Sequence, residues 1–196
     1  MCGRYTLTPE NKVLERRFNF YVADSVKIGP RYNIAPSQEA PVIVWDGIGE
    51  KRTLKMMRWG LIPGWARDKS IGYKMINARA ETVNQKPSFK MPFRKRRCLV
   101  IADSFYEWKK TCNKKVKIPI RFMLRDGEPF AFAGLWDSWE SPEGEMVHSY
   151  TIITTAANQI MKPVHDRSPV ILRKEGEDLW HDPHVNDDDS GHSEFP

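Results

Sequence analysis

No apolar run in this sequence approaches the roughly 20 residues that a membrane-spanning helix needs. The start also lacks the basic-then-apolar pattern of a secretory leader, so it reads as the native start of a cytoplasmic protein with no membrane partner. Cysteine is scarce. Cys2, Cys98 and Cys112 are the three present, too few and too irregularly spaced for a disulfide framework. No CxxC or HxxxH spacing joins them to His165, so neither a metal nor a cofactor is expected. Cys98 reads as a buried strand residue and Cys112 as a bystander in a turn. Internal repeats, low-complexity linkers and a regular strand–helix alternation are missing too, which argues against solenoids and doubly wound parallel sheets.

What is present suits one soluble domain with a real core, over residues 1–183, acting as a monomer. Residues 184–196 (HVNDDDSGHSEFP) have almost nothing to bury and read as a disordered acidic tail. The formal charge of +6 hides an asymmetry, because eight of the 25 acidic residues and no Lys or Arg lie from Glu175 onward. The first 174 residues thus set 31 basic groups against 17 acidic ones, a net of +14. Such a body favours a polyanionic partner without identifying one.

Thr8-Pro9-Glu10 supplies an N-cap, a proline in the first turn and an early acid, predicting a helix through about Phe18. Strands are expected at 41–45, 51–59, 97–103, 105–109, 118–124, 129–136, 148–155 and 170–173. Turns are expected at 46–47, 111–115 and 125–127, and short helices at 78–85, 156–162 and 175–180. The implied class is α+β: mainly antiparallel β, a distorted barrel-like sheet flanked by short helices.

Cys2 has a chemistry that no internal residue can offer. Once Met1 is removed, an α-amine and a thiol stand on adjacent carbons. The amine attacks an aldehyde to give an imine, and the thiol closes on it as a five-membered thiazolidine. An α-amine with a pKa of about 7.7–8.0 is usefully neutral near pH 7. Position alone does not separate this from an incidental cysteine beside the start residue.

Further segments do. Met1-Cys2-Gly3-Arg4-Tyr5 is followed by Arg31-Tyr32-Asn33-Ile34-Ala35-Pro36 and by Arg58-Trp59-Gly60-Leu61-Ile62-Pro63-Gly64-Trp65. Then come Ile76-Asn77-Ala78-Arg79-Ala80-Glu81-Thr82, Asp103-Ser104-Phe105-Tyr106-Glu107-Trp108 and His165-Asp166-Arg167-Ser168-Pro169-Val170. In order and spacing these blocks resemble the signatures of the SRAP (SOS response-associated peptidase) family, over about Cys2 to Trp180. The resemblance implies a mainly β fold whose basic groove binds single-stranded DNA containing an abasic site. Cys2 would trap the exposed C1′ aldehyde as a covalent crosslink.

The resemblance also assigns roles. Asn77 would orient the terminal amine or the sugar, Glu107 would shuttle protons from an apolar setting between Tyr106 and Trp108, and His165 would promote sugar-ring opening. Taken singly, Asn77 could equally be a turn residue, Glu107 a solvent-facing strand carboxylate and His165 a loop cap. Asp166 and Arg167 read as a local ion pair. Arg4 and Arg79 suit phosphates, Thr154 a backbone contact, and Pro36 and Trp65 a wedge against the bases beside the lesion. The basic run 94–97 reads as a solvated face, and Trp59, Trp108 and Trp136 as core. The family pattern continues with a further ordered segment past the helix at 175–180, where this chain runs into Asp187-Asp188-Asp189. Two rival readings use the same residues: a thiol autopeptidase acting through Cys2 with His165 as base, and a non-covalent single-strand-binding module.

Overall fold

The computed structural model describes residues 2–22, 28–46, 51–112 and 116–182. In chain order the elements begin with β1 (Tyr5–Leu7), α1 (Asn11–Phe18), β2 (Tyr21–Val22), β3 (Arg31–Ile34), β4 (Glu39–Asp46) and β5 (Lys51–Trp59). A 3₁₀ helix (Lys69–Lys74) leads to β6 (Asn77–Arg79), a second 3₁₀ turn (Ala80–Thr82) and α2 (Pro87–Lys95). There follow β7 (Arg97–Ala102), β8 (Ser104–Lys110), β9 (Lys117–Phe122), β10 (Phe130–Glu140), β11 (Met146–Ala156), β12 (Arg167–Pro169) and α3 (Lys174–His181). The acidic tail, the residues after Asp46 in the first hairpin turn, and 113–115 of the polar turn lie outside the described residues.

The larger sheet runs β12-β11-β10-β7-β4-β5-β2, with β6 beside β11. β5 returns to pair with β11 in parallel, at Arg58↔Ser149 and Trp59↔Tyr150, and this closes five strands into a barrel. The other barrel pairs are antiparallel, so the α+β, barrel-like expectation holds. Inside a small barrel every side chain competes for space. A Cβ on Gly134 of β10 would lie 2.6 Å from a Val100 methyl and 2.8 Å from Cys98 Sγ, so only glycine fits there. β7 is buried along its whole length because its second face lies under α2 and α3. Trp180 of α3 donates its indole N–H to Cys98 O at 3.1 Å.

A second sheet, β3-β1-β8-β9, carries the N-terminus. It is keyed to the barrel by Tyr5, whose ring meets Trp59 at 5.2 Å and Phe132 at 6.0 Å, both edge-on. The Tyr5 and Tyr150 hydroxyls bond at 2.7 Å, and burial raises the pKa of both. The rings thus fix where the chain start can lie.

Several expected elements differ. The first helix begins at Asn11, with Glu10 at its cap position, rather than at Pro9 behind a Thr8 cap, because the Thr8 hydroxyl donates to Asp103 Oδ2 at 2.5 Å instead. The helix expected at 78–85 is instead β6 plus a 3₁₀ turn, since Asn77–Arg79 pair in parallel with Ile152–Thr154. The segment expected as helix at 156–162 ends β11 and continues as turns. The last strand is 167–169, paired with Thr154–Ala156, rather than 170–173, which contributes one bridge, Ile171↔Phe132. α2 was not expected. Pro87 opens it favourably, whereas Pro92 inside it removes one intrahelical bond and disguises the pattern. Trp59 is buried, but Trp108 and Trp136 are only half-buried; Trp139 and Trp180 fill the core instead. The basic run is not a uniform solvated face, for Arg96 pairs with Asp137 and Arg97 is buried against Asp182 O.

Candidate active site

β1 and β8 pair antiparallel at Tyr5↔Phe105 and Thr6↔Ser104, and Tyr106 N–H donates to Arg4 O at 2.9 Å. The same register carried one step further sets Gly3 level with Glu107. Alternation along β8 then sends Phe105 and Glu107 to the buried face and Tyr106 and Trp108 to the other. Glu107 is therefore 2 % exposed. Its sequence neighbours do not enclose it, contrary to the reading of an apolar slot between Tyr106 and Trp108. The fully buried Cys2 is among the groups near it on that face.

Ahead of β1, Cys2 is fully buried, and its Sγ lies 3.9 Å from Arg4 O. Burial pushes the thiol well above its ordinary range, and the nearby Glu107 carboxylate pushes it the same way. The Arg4 carbonyl contact opposes these only in part. Thiol and carboxylate are thus electrostatic neighbours.

Asn77 approaches from the barrel. Ile76 O accepts from Trp59 Nε1 at 2.9 Å and from Ile152 N at 3.2 Å, so the residue before Asn77 is pinned to two barrel strands. From that anchor Asn77 Nδ2 donates to Cys2 O at 2.8 Å. Its Oδ1 is enclosed and has no hydrogen-bond partner. A buried amide acceptor in that state is unusual enough to require an explanation.

His165 lies on the loop entering β12, with its backbone N–H bonded to Met161 O at 3.0 Å and its side chain 28 % exposed. Arg167 N–H donates to Nδ1 at 3.0 Å, and Asp166 Oδ1 lies 2.8 Å from the same nitrogen. Nδ1 cannot accept the first and donate to the second at once. With the fixed Arg167 N–H as donor, Nδ1 is the acceptor, and a neutral ring then carries its proton on Nε2. The expected Asp166–Arg167 pair is corrected. Arg167 forks onto Glu81 at 2.6 and 3.0 Å and also donates to Thr154 O at 2.5 Å. That Arg–Glu fork joins β12 to the turn after β6, and Arg167 holds the Glu81 carboxyl below its usual range.

Around this centre the expected DNA contacts are placed unequally. Arg79, at the end of β6, is exposed. Arg4 is half-buried, with Nη1 donating to Gly3 O at 2.8 Å. Thr154 is 1 % exposed, and its hydroxyl donates to Ala78 O at 3.3 Å, so it acts as part of the β6–β11 join rather than as a surface contact. Trp65 is 61 % exposed on a turn closed by Ala66 N–H to Pro63 O. Pro36 occupies a turn closed by Gln38 N–H to Ala35 O at 3.2 Å, with Ser37 next to it at φ +70°. Proline followed by a positive-φ residue is the pattern of a type II turn, which usually prefers glycine where Ser37 stands.

One supporting group went unassigned in the sequence. Asp103 accepts from the Thr6 and Thr8 hydroxyls and lies 3.7 Å from an Arg121 guanidinium nitrogen, while Arg121 Nε donates to Ser104 Oγ at 2.7 Å. This network fastens β1, and so the chain start, to β8. The signal was an Asp-Ser pair directly ahead of a strand, which reads from sequence only as a turn.

The family model for the SOS response associated peptidase (SRAP) matches residues 1–194. The abasic site processing protein YoqW of Bacillus subtilis is 48 % identical over 190 residues, covering 96 % of this chain and 84 % of that protein. The abasic site processing protein HMCES of Xenopus tropicalis is 34 % identical over 210 residues, covering 88 % of this chain and 63 % of that protein. Among solved structures, a crystal structure of a protein from Bacteroides thetaiotaomicron superposes with a TM-score of 0.85 at 27 % identity, over 95 % of this chain and 83 % of that one.

Proposed function

This chain belongs to the SOS response associated peptidase (SRAP) family, and we propose that it captures abasic sites in single-stranded DNA through Cys2. After Met1 is removed, the α-amine of Cys2 adds to the C1′ aldehyde of the ring-opened sugar, and loss of water gives an imine. The thiol then adds across the C=N bond: sulfur bonds to C1′, the thiol proton goes to nitrogen, and a thiazolidine results. Aldehyde and aminothiol are consumed and one water is released, with no change of oxidation state.

The observation that carries this reading is the Asn77 amide. Its Nδ2 holds Cys2 O at 2.8 Å while Oδ1 is left enclosed and unsatisfied. A free α-amine, or a sugar hydroxyl, would supply the missing donor. Glu107, buried beside the thiol, accepts the proton released as the amine attacks and returns it as water leaves. His165, bonded through Nδ1 to Arg167 N–H, keeps Nε2–H as a donor to the sugar oxygen. Arg4 and Arg79 bind flanking phosphates.

The same electrostatics weigh against a thiolate hydrolase. A cysteine-peptidase nucleophile needs a cation or helix N-terminus to lower its pKa; burial and then the Glu107 carboxylate raise that of Cys2, and the Arg4 contact and the terminal ammonium offset them only in part. A thiol that stays protonated suits addition to an imine, where its proton has a destination.

The test compares three proteins on one abasic oligonucleotide: processed, N-terminally tagged, and Cys2→Ala with Met1 removed. The processed protein gives a denaturation-resistant adduct whose intact mass equals the sum of the two components less one water. The tagged protein gives none, and Cys2→Ala gives an adduct only after borohydride. A stable adduct from the tagged protein without reductant would overturn the mechanism.

A further inference from the structure

Tyr73, in the 3₁₀ helix 69–74, is 63 % exposed. It is not a loose side chain. The Arg58 guanidinium lies over its ring, 5.5 Å from the centroid, and Arg58 Nη1 donates to Ser37 O at 2.8 Å. Ser37 is the residue that holds the Pro36 turn at positive φ. The turn is further bound to β5 through Ser37 N–H to Trp59 O at 2.8 Å and Trp59 N–H to Gln38 O at 2.9 Å. On its other side, Lys74 shares a surface pocket of ≈ 470 Å³ with Trp65, Arg67 and Ile71. Arg58 thus links Tyr73 to the Pro36 turn, and the next residue, Lys74, lines the Trp65 pocket together with Asp68 and Ser70.

We propose that Tyr73, backed by Arg58, is a stacking platform for an unpaired nucleobase, lying between the contacts made by Pro36 and by Trp65. The proposal rests on the reading of this chain as a binder of single-stranded DNA and extends it to a residue outside the covalent centre. The guanidinium covers one face of the ring, which leaves the other to a base. Every base offers a π-face, so such a platform tolerates sequence. Arg58 fixes the ring through a cation–π contact and adds positive charge beside the strand. Backbone strain at Ser37, a non-glycine residue at positive φ, is sustained because Arg58 and Trp59 hold that turn. A partner protein would also favour exposed aromatics, but alternating rings and cations suit a strand carrying one base and one phosphate per step.

The experiment measures equilibrium binding of a fluorescent oligothymidylate with no abasic site, so that no covalent step enters, to wild type, Tyr73→Ala, Tyr73→Phe and Tyr21→Ala. Tyr21, on β2, is 60 % exposed and serves as a matched control. Tyr73→Ala is expected to weaken binding about 5- to 150-fold, the factor that ~1–3 kcal/mol per stacked base gives. Tyr73→Phe and Tyr21→Ala stay within twofold, and circular dichroism and the melting temperature confirm that each variant folds. Replacing thymidines one at a time by a tetrahydrofuran spacer should locate one position whose base matters to wild type and not to Tyr73→Ala. If Tyr73→Ala binds within twofold of wild type, the platform is overturned, and the single-strand reading stands as long as wild type binds the oligothymidylate. Failure of wild type to bind the oligothymidylate removes both. Equal losses in Tyr73→Ala and Tyr21→Ala overturn the platform as a specific site.

Discussion

Replacing Asn77 by Ala tests the site at its least ambiguous contact. The substitution deletes the donor that holds Cys2 O at 2.8 Å and leaves that carbonyl in a buried setting. An unsatisfied buried acceptor costs about 1–3 kcal/mol, which at ~1.4 kcal/mol per tenfold lowers the docked population of the chain start by about 5- to 150-fold. The disturbance stays local, because β1 remains fastened by the Thr6, Thr8 and Asp103 network and by the Tyr5–Tyr150 bond. Two readouts must therefore move in opposite directions. Crosslinking at limiting abasic oligonucleotide, followed by denaturing gel, slows by that factor. Labelling of Cys2 by an aromatic disulfide in a Cys112→Ser background speeds up, because the thiol spends more time outside its buried pocket. Asn77→Asp should be slower still than Asn77→Ala, since it sets a carboxylate oxygen against the Cys2 carbonyl and adds a second charge near Glu107. Unchanged crosslinking and labelling in Asn77→Ala, or wild-type rates in Asn77→Asp, would refute the role of the amide.

Glu107→Gln keeps shape and removes the charge, so crosslinking or its reversal should slow by about 10²-fold, the low end for general acid–base help, while affinity for intact DNA holds. An equal loss of affinity would mark Glu107 as structural. Non-covalent binding to single strands should weaken with salt at a log–log slope of about −3 to −4 for roughly 4–6 phosphate contacts, and a slope near zero would remove the electrostatic groove. His181 provides a pH test of the fold. Burial, then the nearby Arg52 charge, lower it to about 3, so between that value and ~6.5 the unfolded chain binds a proton that the folded chain does not. Stability is therefore complete above pH ~6.5 and falls below it, by about 2 kcal/mol at pH 5. His148, lowered by partial burial, adds in the same direction. Denaturant melts at pH 7 and 5 should show the loss, and His181→Gln should flatten it; an unaltered slope would mean that His181 is not buried neutral.

The residues of the proposed site could be picked out in the sequence because the proposed chemistry depends on residue types and chain position. Only a cysteine beside the start can offer an amine and a thiol together, and the blocks around Asn77, Glu107 and His165 could be read in order. Strand 51–59 matched β5, and 41–45 fell inside β4, because hydrophobic runs bounded by turns survive into the fold. What tertiary structure decided is where those pieces meet. Helix propensity at 78–85 lost to parallel pairing with β11, and that pairing is what delivers Asn77 to Cys2. Thr8 gave up its capping role to bind Asp103. Glu107 owes its burial to strand alternation and to the sheet packed on the barrel, not to Tyr106 and Trp108. Arg167 found Glu81, far away in sequence, rather than adjacent Asp166. A sequence fixes which groups a chain carries and which periodicities it can adopt; the distances between residues far apart along it arise only when barrel closure and the Tyr5 aromatic contacts bring two sheets together.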